Sequence, residues 1–296
     1  MASRDDGRLD ARAAGLAVLA MAILGGSYTA GKIALQDLPV FGMLLLRMLV
    51  TAGALGAYAA WARVPLAQGG RAAGFIAAHT VFFIMSQAML YVGLTMTSAG
   101  RAAILFNMQP FFTLLVLPLL VPTERLTLRR WLGTGAAFLG VALVLAERGV
   151  SGGSLLGDLL VLVGALGWTG NVVLTKTMPQ EVNSVAMIFW NVAAAVPVIG
   201  LLTVVFESQA TWNLSAAAIG SVLYLGVVAA GLGFVLIVWL TRTYSASRVN
   251  VFVFLSPVFG VLIGWALLGE SISALQALGA LAVALGILIV STEAGR

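Results

Sequence analysis

Ten runs of roughly 20 apolar residues follow one another along the chain, each closed by a charge, a proline or a polar cluster. A helix needs about 20 such residues to cross a bilayer. The runs cover residues 13–34, 40–62, 73–93, 99–121, 129–146, 155–175, 184–206, 214–240, 247–268 and 273–291. Asp37, Pro39, Arg63, Pro65, Ser98, Glu124, Glu147, Pro179, Glu207, Arg242 and Glu270 mark the breaks between them. Inside lipid a backbone must satisfy its own hydrogen bonds, which leaves helices or a closed barrel. The polar–apolar alternation of barrel strands is absent. The predicted fold is an all-α integral membrane protein of ten transmembrane helices. The connectors are too short to hold an extramembrane domain. The polar leader of residues 1–15 carries no cleavage pattern, so the first run reads as a retained span rather than a signal peptide.

Charged residues make up 9% of the chain, against about 25% in soluble domains. Soluble enzymes and nucleic-acid-binding folds are thereby excluded, and no nucleic-acid partner is expected. There is no cysteine and only one histidine, His79. Disulfides, thiolate catalysis, iron–sulfur clusters and multi-histidine metal sites therefore drop out. No GxxxxGK[ST] loop is present for ATP. No cofactor and no metal are expected. Paired buried carboxylates or a Ser/His dyad, the needs of an intramembrane enzyme, are also missing.

The basic residues orient the chain. With the N-terminus inside, inner loops and tails hold Arg4, Arg8, Arg12, Arg63, Arg71, Arg125, Arg129, Arg130, Lys176, Arg242, Arg248 and Arg296. Outer ends hold only Lys32, Arg101 and Arg148, while Arg47 lies within a span. Twelve against three is a strong positive-inside bias, and both termini are expected to be cytoplasmic. Trp61, Trp131, Trp212, Trp239 and Trp265 fall near span ends, as an interfacial belt requires.

The second half repeats the first. Ser98-Ala99-Gly100-Arg101 matches Ser245-Ala246-Ser247-Arg248, and nine residues after each arginine stands a proline, Pro110 or Pro257. Glu124, Gly133, Gly140 and Glu147 match Glu270, Gly279, Gly286 and Glu293. Gly15 and Leu24-Gly25 match Gly157 and Leu166-Gly167. Each repeat, residues 1–148 and 149–296, holds five spans. Five is odd, so the second copy enters the membrane from the opposite side. Two inverted five-helix repeats are the usual build of secondary transporters.

The residues now carry a resemblance. Leu24-Gly25 followed by Gly31-Lys32-Ile33-Ala34-Leu35, Pro39 and Arg47 at the second span, and Gly157-Asp158-Leu159 resemble the EamA family of the drug/metabolite transporter superfamily. The Ser-Ala-x-Arg openings, Pro110 and Pro257, and Leu268-Gly269-Glu270 match it as well. The resemblance covers nearly the whole chain. It implies export of small metabolites, often amino acids, from a bacterial-type inner membrane. Within the family the chain is similar to the YddG-type exporters of aromatic amino acids. It departs at Gly25-Gly26-Ser27, where many relatives place a tryptophan after the first glycine; the second half keeps one, Trp168.

Polar groups at membrane depth are costly and mark candidate substrate contacts. His79, Phe83, Ser86, Gln87 and Tyr91 share a broad face of the third span. Trp168 and Asn171 share a face of the sixth. Trp190 and Asn191 lie well inside the seventh, and Tyr28 inside the first. His79, Trp168, Asn171, Trp190, Tyr28, Phe83, Gln87 and Asn107 are the expected substrate-binding residues. Against this stands the alternative that these side chains only pack or hydrogen-bond neighbouring helices. Pro110 and Pro257 each remove a backbone donor, are expected to kink their spans, and are the candidate gating residues. Asn107, Gln109, Asn250 and Ser256 lie near the kinks. Arg47 either snorkels to the outer interface or meets a substrate carboxylate. The expected partners are a small-molecule substrate and the lipid bilayer, for a monomer. The alternative cargo is a drug-like or cationic lipophilic solute.

Overall fold

A computed structural model of the chain describes residues 11–66, 70–120, 127–147, 153–177, 184–244, 249 and 251–291. Glu124, Arg148, Asn250, Glu293 and the Ser245–Arg248 opening lie outside them. Each of the ten runs carries helix, and the regular structure of the described residues is all helical. Among the described residues, eight helical segments are long and apolar enough to cross a bilayer, and two shorter apolar ones, Phe252–Leu268 and Ala274–Val290, follow. The first three helices are α1 (Ala11–Ala34), α2 (Val40–Trp61) and α3 (Gly70–Met96). The fourth run is split into α4 (Ala99–Phe106) and α5 (Gln109–Leu120). Then come α6 (Leu128–Ala146), α7 (Leu155–Thr177) and α8 (Ser184–Glu207). The eighth run is α9 (Ala216–Leu223), a π-helical stretch over Tyr224–Gly233, and α10 (Phe234–Thr243). A 3₁₀ turn over Val251–Phe254 leads into α11 (Leu255–Leu268), and α12 (Ala274–Ser291) follows.

Local chemistry sets several of these boundaries. The hydroxyls of Ser98, Thr127 and Ser215 each accept from the backbone N–H three residues on, which caps α4, α6 and α9. Gly269, at φ +65°, ends α11 in the left-handed conformation that glycine adopts without penalty.

The two prolines act differently from expectation. Instead of kinking a continuous span, each stands just after an interruption. Asn107 and Met108 form a turn, and Pro110 is the second residue of α5. Pro257 is the third residue of α11, behind the 3₁₀ turn. In a first helical turn the missing proline N–H has no intrahelical acceptor to lose, so the ring costs nothing there. The π-helical stretch has no counterpart in the sequence expectations.

Small residues let the helices close on one another. A Cβ on Gly140 of α6 would stand 2.6 Å from the Gly279 carbonyl of α12, and one on Gly279 2.7 Å from the Gly140 carbonyl. One heptad away, a Cβ on Gly133 would stand 2.8 Å from the Gly286 carbonyl. The two helices thus run antiparallel with reciprocal contacts. Gly93 and Gly157 join α3 to α7 in the same way, with Gly164 against the Ser86 carbonyl. Such seams are how helices associate where lipid offers no hydrophobic drive. The five belt tryptophans are all exposed. The buried core gathers Met43, Leu44, Leu94, Leu105, Phe111 and Leu225.

Candidate substrate site and helix-end ties

Four aromatic rings from four helices meet inside the bundle. Tyr28 of α1 meets Phe106 of α4 edge-on, with ring centroids 6.2 Å apart. Trp168 of α7 stands 6.4 Å from both Phe106 and Phe83 of α3. Tyr28 and Phe106 are buried, whereas Phe83 and Trp168 are partly exposed. Three of these, Tyr28, Phe83 and Trp168, are predicted site residues. Phe106 is not, because a phenylalanine inside an apolar run carries no signal of its own; its only pointer is its place at the interruption before Pro110. Where the first span lacks the family's tryptophan, Tyr224 fills the space. Its hydroxyl lies over Gly26 and donates to the Ile23 carbonyl at 2.8 Å.

One turn along α3 and α7 lies a polar group. With its amide in the orientation that satisfies both terminal atoms, Asn171 donates to His79 Nδ1 at 3.1 Å and to the His79 carbonyl at 2.8 Å, and accepts from the Phe83 N–H at 3.3 Å. Thr175 Oγ1 stands 3.4 Å from His79 Nε2. Asn191 of α8 adjoins the same imidazole. His79 therefore ties α3 to α7 while remaining only half-buried beside the aromatic group.

One turn the other way along α3, Gln87 and Tyr91 both accept from Arg47 of α2. The α3 face that carries His79, Phe83, Gln87 and Tyr91 thus presents, in order, imidazole, ring, amide and phenol to its neighbours.

Two predicted residues do not join this group. Trp190 is 42% exposed, and its indole donates to the Leu66 carbonyl at 2.7 Å, at the end of the bundle where α2 terminates. Asn107 donates back to the Ala103 carbonyl at 2.7 Å and so closes the end of α4. Pro110 and Pro257 sit at the interruptions described above.

A second set of polar contacts joins helix ends at the end of the bundle where α1 stops. Glu207, at the end of α8, accepts from the N–H groups of Phe41 and Gly42 at the start of α2, both at 2.9 Å. Glu270, just past α11, accepts from Ala99 and Gly100 at the start of α4, at 2.6 and 2.9 Å. Each carboxylate meets the positive end of a helix dipole and satisfies two orphan donors. Asp37 accepts from Asn213 and bonds Ser215. Lys32 donates to the Leu94 and Thr97 carbonyls at 2.6 and 2.7 Å. Arg101 pairs with Asp158 and Glu147, and Thr97 donates to Asp158 at 2.6 Å. Sequence reasoning leaves these residues as loop-end charges.

Comparison with known proteins agrees with this architecture. A solved crystal structure shares the fold at a TM-score of 0.67 over 97% of this chain and 99% of that one, with 18% identity. A Salmonella typhimurium protein named "Probable amino-acid metabolite efflux pump" is 28% identical over 286 residues, 93% of each chain. Its Escherichia coli namesake is 27% identical over 288 residues, again 93% of each. The EamA-like transporter family matches twice, over residues 11–146 and 155–292. The chain belongs to the EamA-like transporter family.

Proposed function

We propose that the chain is a secondary transporter of a bacterial inner membrane that exports small amphipathic metabolites, amino acids foremost and aromatic ones among them. The observation that carries this reading is the meeting of Tyr28, Phe83, Phe106 and Trp168 inside the bundle, with His79 and Asn171 on one side and Gln87 and Arg47 on the other. Rings supply stacking area and the amides and cation orient a polar end. The name shared by the two efflux pumps supports an amino-acid cargo.

The mechanism is alternating access between two inverted halves, residues 1–148 and 149–296, in a monomer. The double family match supports the repeat. So do the reciprocal contacts of Gly133, Gly140, Gly279 and Gly286, the pattern that a twofold axis between equivalent helices produces. With both termini cytoplasmic, the ties of Glu207, Glu270, Asp37 and Arg101 lie at the outer face and close it. Exchange of shapes between the halves opens that face and closes the other. The interruptions before Pro110 and Pro257 are the elements that bend.

Counterflow into proteoliposomes tests this. Saturable exchange of at least one amino acid is expected, strongest for aromatic ones. Absence of exchange across a full amino-acid panel refutes the cargo, and flux that never saturates indicates a channel.

A further inference from the structure

We infer that Arg47 is the receptor for a substrate carboxylate, so that the transported class is carboxylate-bearing solutes rather than cations. This deepens the exporter reading above and rests on it for the step from binding to transport.

Arg47 lies seven residues past Val40, the first residue of α2, about 10 Å along the helix axis. Met43, Leu44 and Thr51, its neighbours on the helix face, are buried, so this face looks into the bundle. The side chain is partly exposed and reaches across to α3. Its Nη1 donates to Gln87 Oε1 at 2.8 Å and to Tyr91 Oη at 2.7 Å, and its guanidinium carbon stands 5.4 Å from the Tyr91 ring centroid. Both bonds come from one nitrogen. A guanidinium has five N–H donors, and among the described residues nothing accepts from Nη2 or Nε.

The charge has no protein counter-ion either. Among the described residues no carboxylate lies within 4 Å of it. The five described carboxylates are all engaged elsewhere: Asp37 with Asn213 and Ser215, Glu147 and Asp158 with Arg101, Glu207 with the start of α2, Glu270 with the start of α4. A cation held inside a membrane protein without a counter-ion is costly, and the planar fork of arginine fits a carboxylate with two parallel bonds. Gln87 and Tyr91 hold Nη1 and leave the other two nitrogens free to make that fork.

The aromatic group begins about one turn along α3 from the Gln87 that Arg47 holds. Phe83, which packs against Trp168, precedes Gln87 by four residues on α3. That is one turn, or about 6 Å of rise. A solute that lays an aromatic ring beside Trp168 thus brings a carboxylate two or three carbons away to Arg47. A cationic solute meets a like charge there.

Two analogues separate the carboxylate from the amine. Binding of 3-phenylpropionate and of 2-phenylethylamine to the purified full-length protein in detergent is read by quenching of tryptophan fluorescence. Saturable binding of 3-phenylpropionate is expected, about tenfold or more tighter than that of 2-phenylethylamine, which corresponds to about 1.4 kcal/mol. R47Q should erase that preference, and R47K should keep part of it through its charge without the fork. Equal or tighter binding of the amine by the wild-type protein, or an R47Q protein that retains the preference, overturns the inference. The wild-type comparison decides even if a variant fails to fold. Carboxylate-selective binding without counterflow of any amino acid would instead leave Arg47 as the receptor and refute the transporter cargo.

Discussion

The guanidinium of Arg101 in α4 is ion-paired with the carboxylate of Asp158 in α7, and both side chains are buried at the meeting point of two halves of the chain. Glu147 joins the pair at 3.4 Å, and Thr97 adds a hydrogen bond to Asp158. A buried pair contributes little against an apolar substitute, but without the Asp158 carboxylate Arg101 keeps only the longer Glu147 contact, and the charge-assisted hydrogen bonds from Arg101 and Thr97 to Asp158 weaken. Asp158→Asn is therefore expected to destabilise the protein by about 1.5–3 kcal/mol. Thermal unfolding in detergent should show the loss as a clearly lowered midpoint, with reduced abundance in membranes. Asp158→Glu, which keeps the charge, should recover part of it. An unchanged midpoint for Asp158→Asn would mean that the pair carries no structural weight.

The α6–α12 seam predicts a contrast between glycines of one helix. A methyl on Gly140 meets the Gly279 carbonyl at 2.6 Å, which backbone cannot yield cheaply, so Gly140→Ala must push the helices apart. A methyl on Gly135 meets nothing within 4 Å. Gly135→Ala should stabilise or leave stability unchanged, since alanine is favoured over glycine within helices by about 0.5–1 kcal/mol. Gly140→Ala should lower stability, by about 1–3 kcal/mol as overpacked sites do. The same melting measurement checks both, and equal effects would remove the seam as the cause.

How far the sequence anticipates this depends on what each feature is made of. Span positions follow from apolarity and charge, properties of side chains, and the runs appear where expected. The repeat pairs Gly133 and Gly140 with Gly279 and Gly286 by spacing, and these four glycines meet across the α6–α12 contact. The interruption at Asn107–Met108 and the π-helical stretch at Tyr224–Gly233 are choices of backbone hydrogen-bond register, which hydropathy does not encode. Arg101 reads as an exposed flanking charge because its partners, Glu147 and Asp158, are remote in sequence. Trp190 and Trp168 read alike within their spans, and only the helix faces chosen in packing separate the exposed ring from the one in the aromatic group.

Pro110 offers a test of the interruption itself. Pro110→Ala supplies an N–H that can reach the Phe106 carbonyl and extend α4 into α5. In a first turn the change should cost or gain less than about 1 kcal/mol of stability. If bending at the interruption is part of the transport cycle, the maximal counterflow rate should fall several-fold while ligand affinity stays near normal. A fall in affinity with an intact maximal rate would place Pro110 in site shaping rather than in gating.

His79 separates two roles within one residue. Its imidazole bonds Asn171 and Thr175 across the α3–α7 seam and stays half-buried beside the rings. As a site residue, His79→Ala should reduce transport while membrane abundance stays near normal. Loss of folded protein would mark it as a packing residue. His79→Gln, which retains a side-chain donor and acceptor, should then restore abundance.

Trp168 is the sharpest test of an aromatic cargo. Phe83 and Phe106 hold the indole from two sides at 6.4 Å, and the ring remains only partly buried. A further ring can stack on the free part, and such a pair is worth about 0.5–1.5 kcal/mol beyond the area it buries. Trp168→Ala should therefore raise the half-saturation constant for aromatic amino acids by roughly threefold to tenfold, given that 1.4 kcal/mol is about tenfold. Trp168→Phe should keep much of the affinity, because a smaller ring still stacks. Small aliphatic amino acids should lose less, because they have no ring to place there. Trp265→Ala is the matched control: that indole is 57% exposed and belongs to the interfacial belt, so its removal should leave substrate preference alone. Counterflow with paired aromatic and aliphatic substrates measures all four. Equal losses for the two classes in Trp168→Ala would make the indole part of the scaffold and take the aromatic preference away from the site.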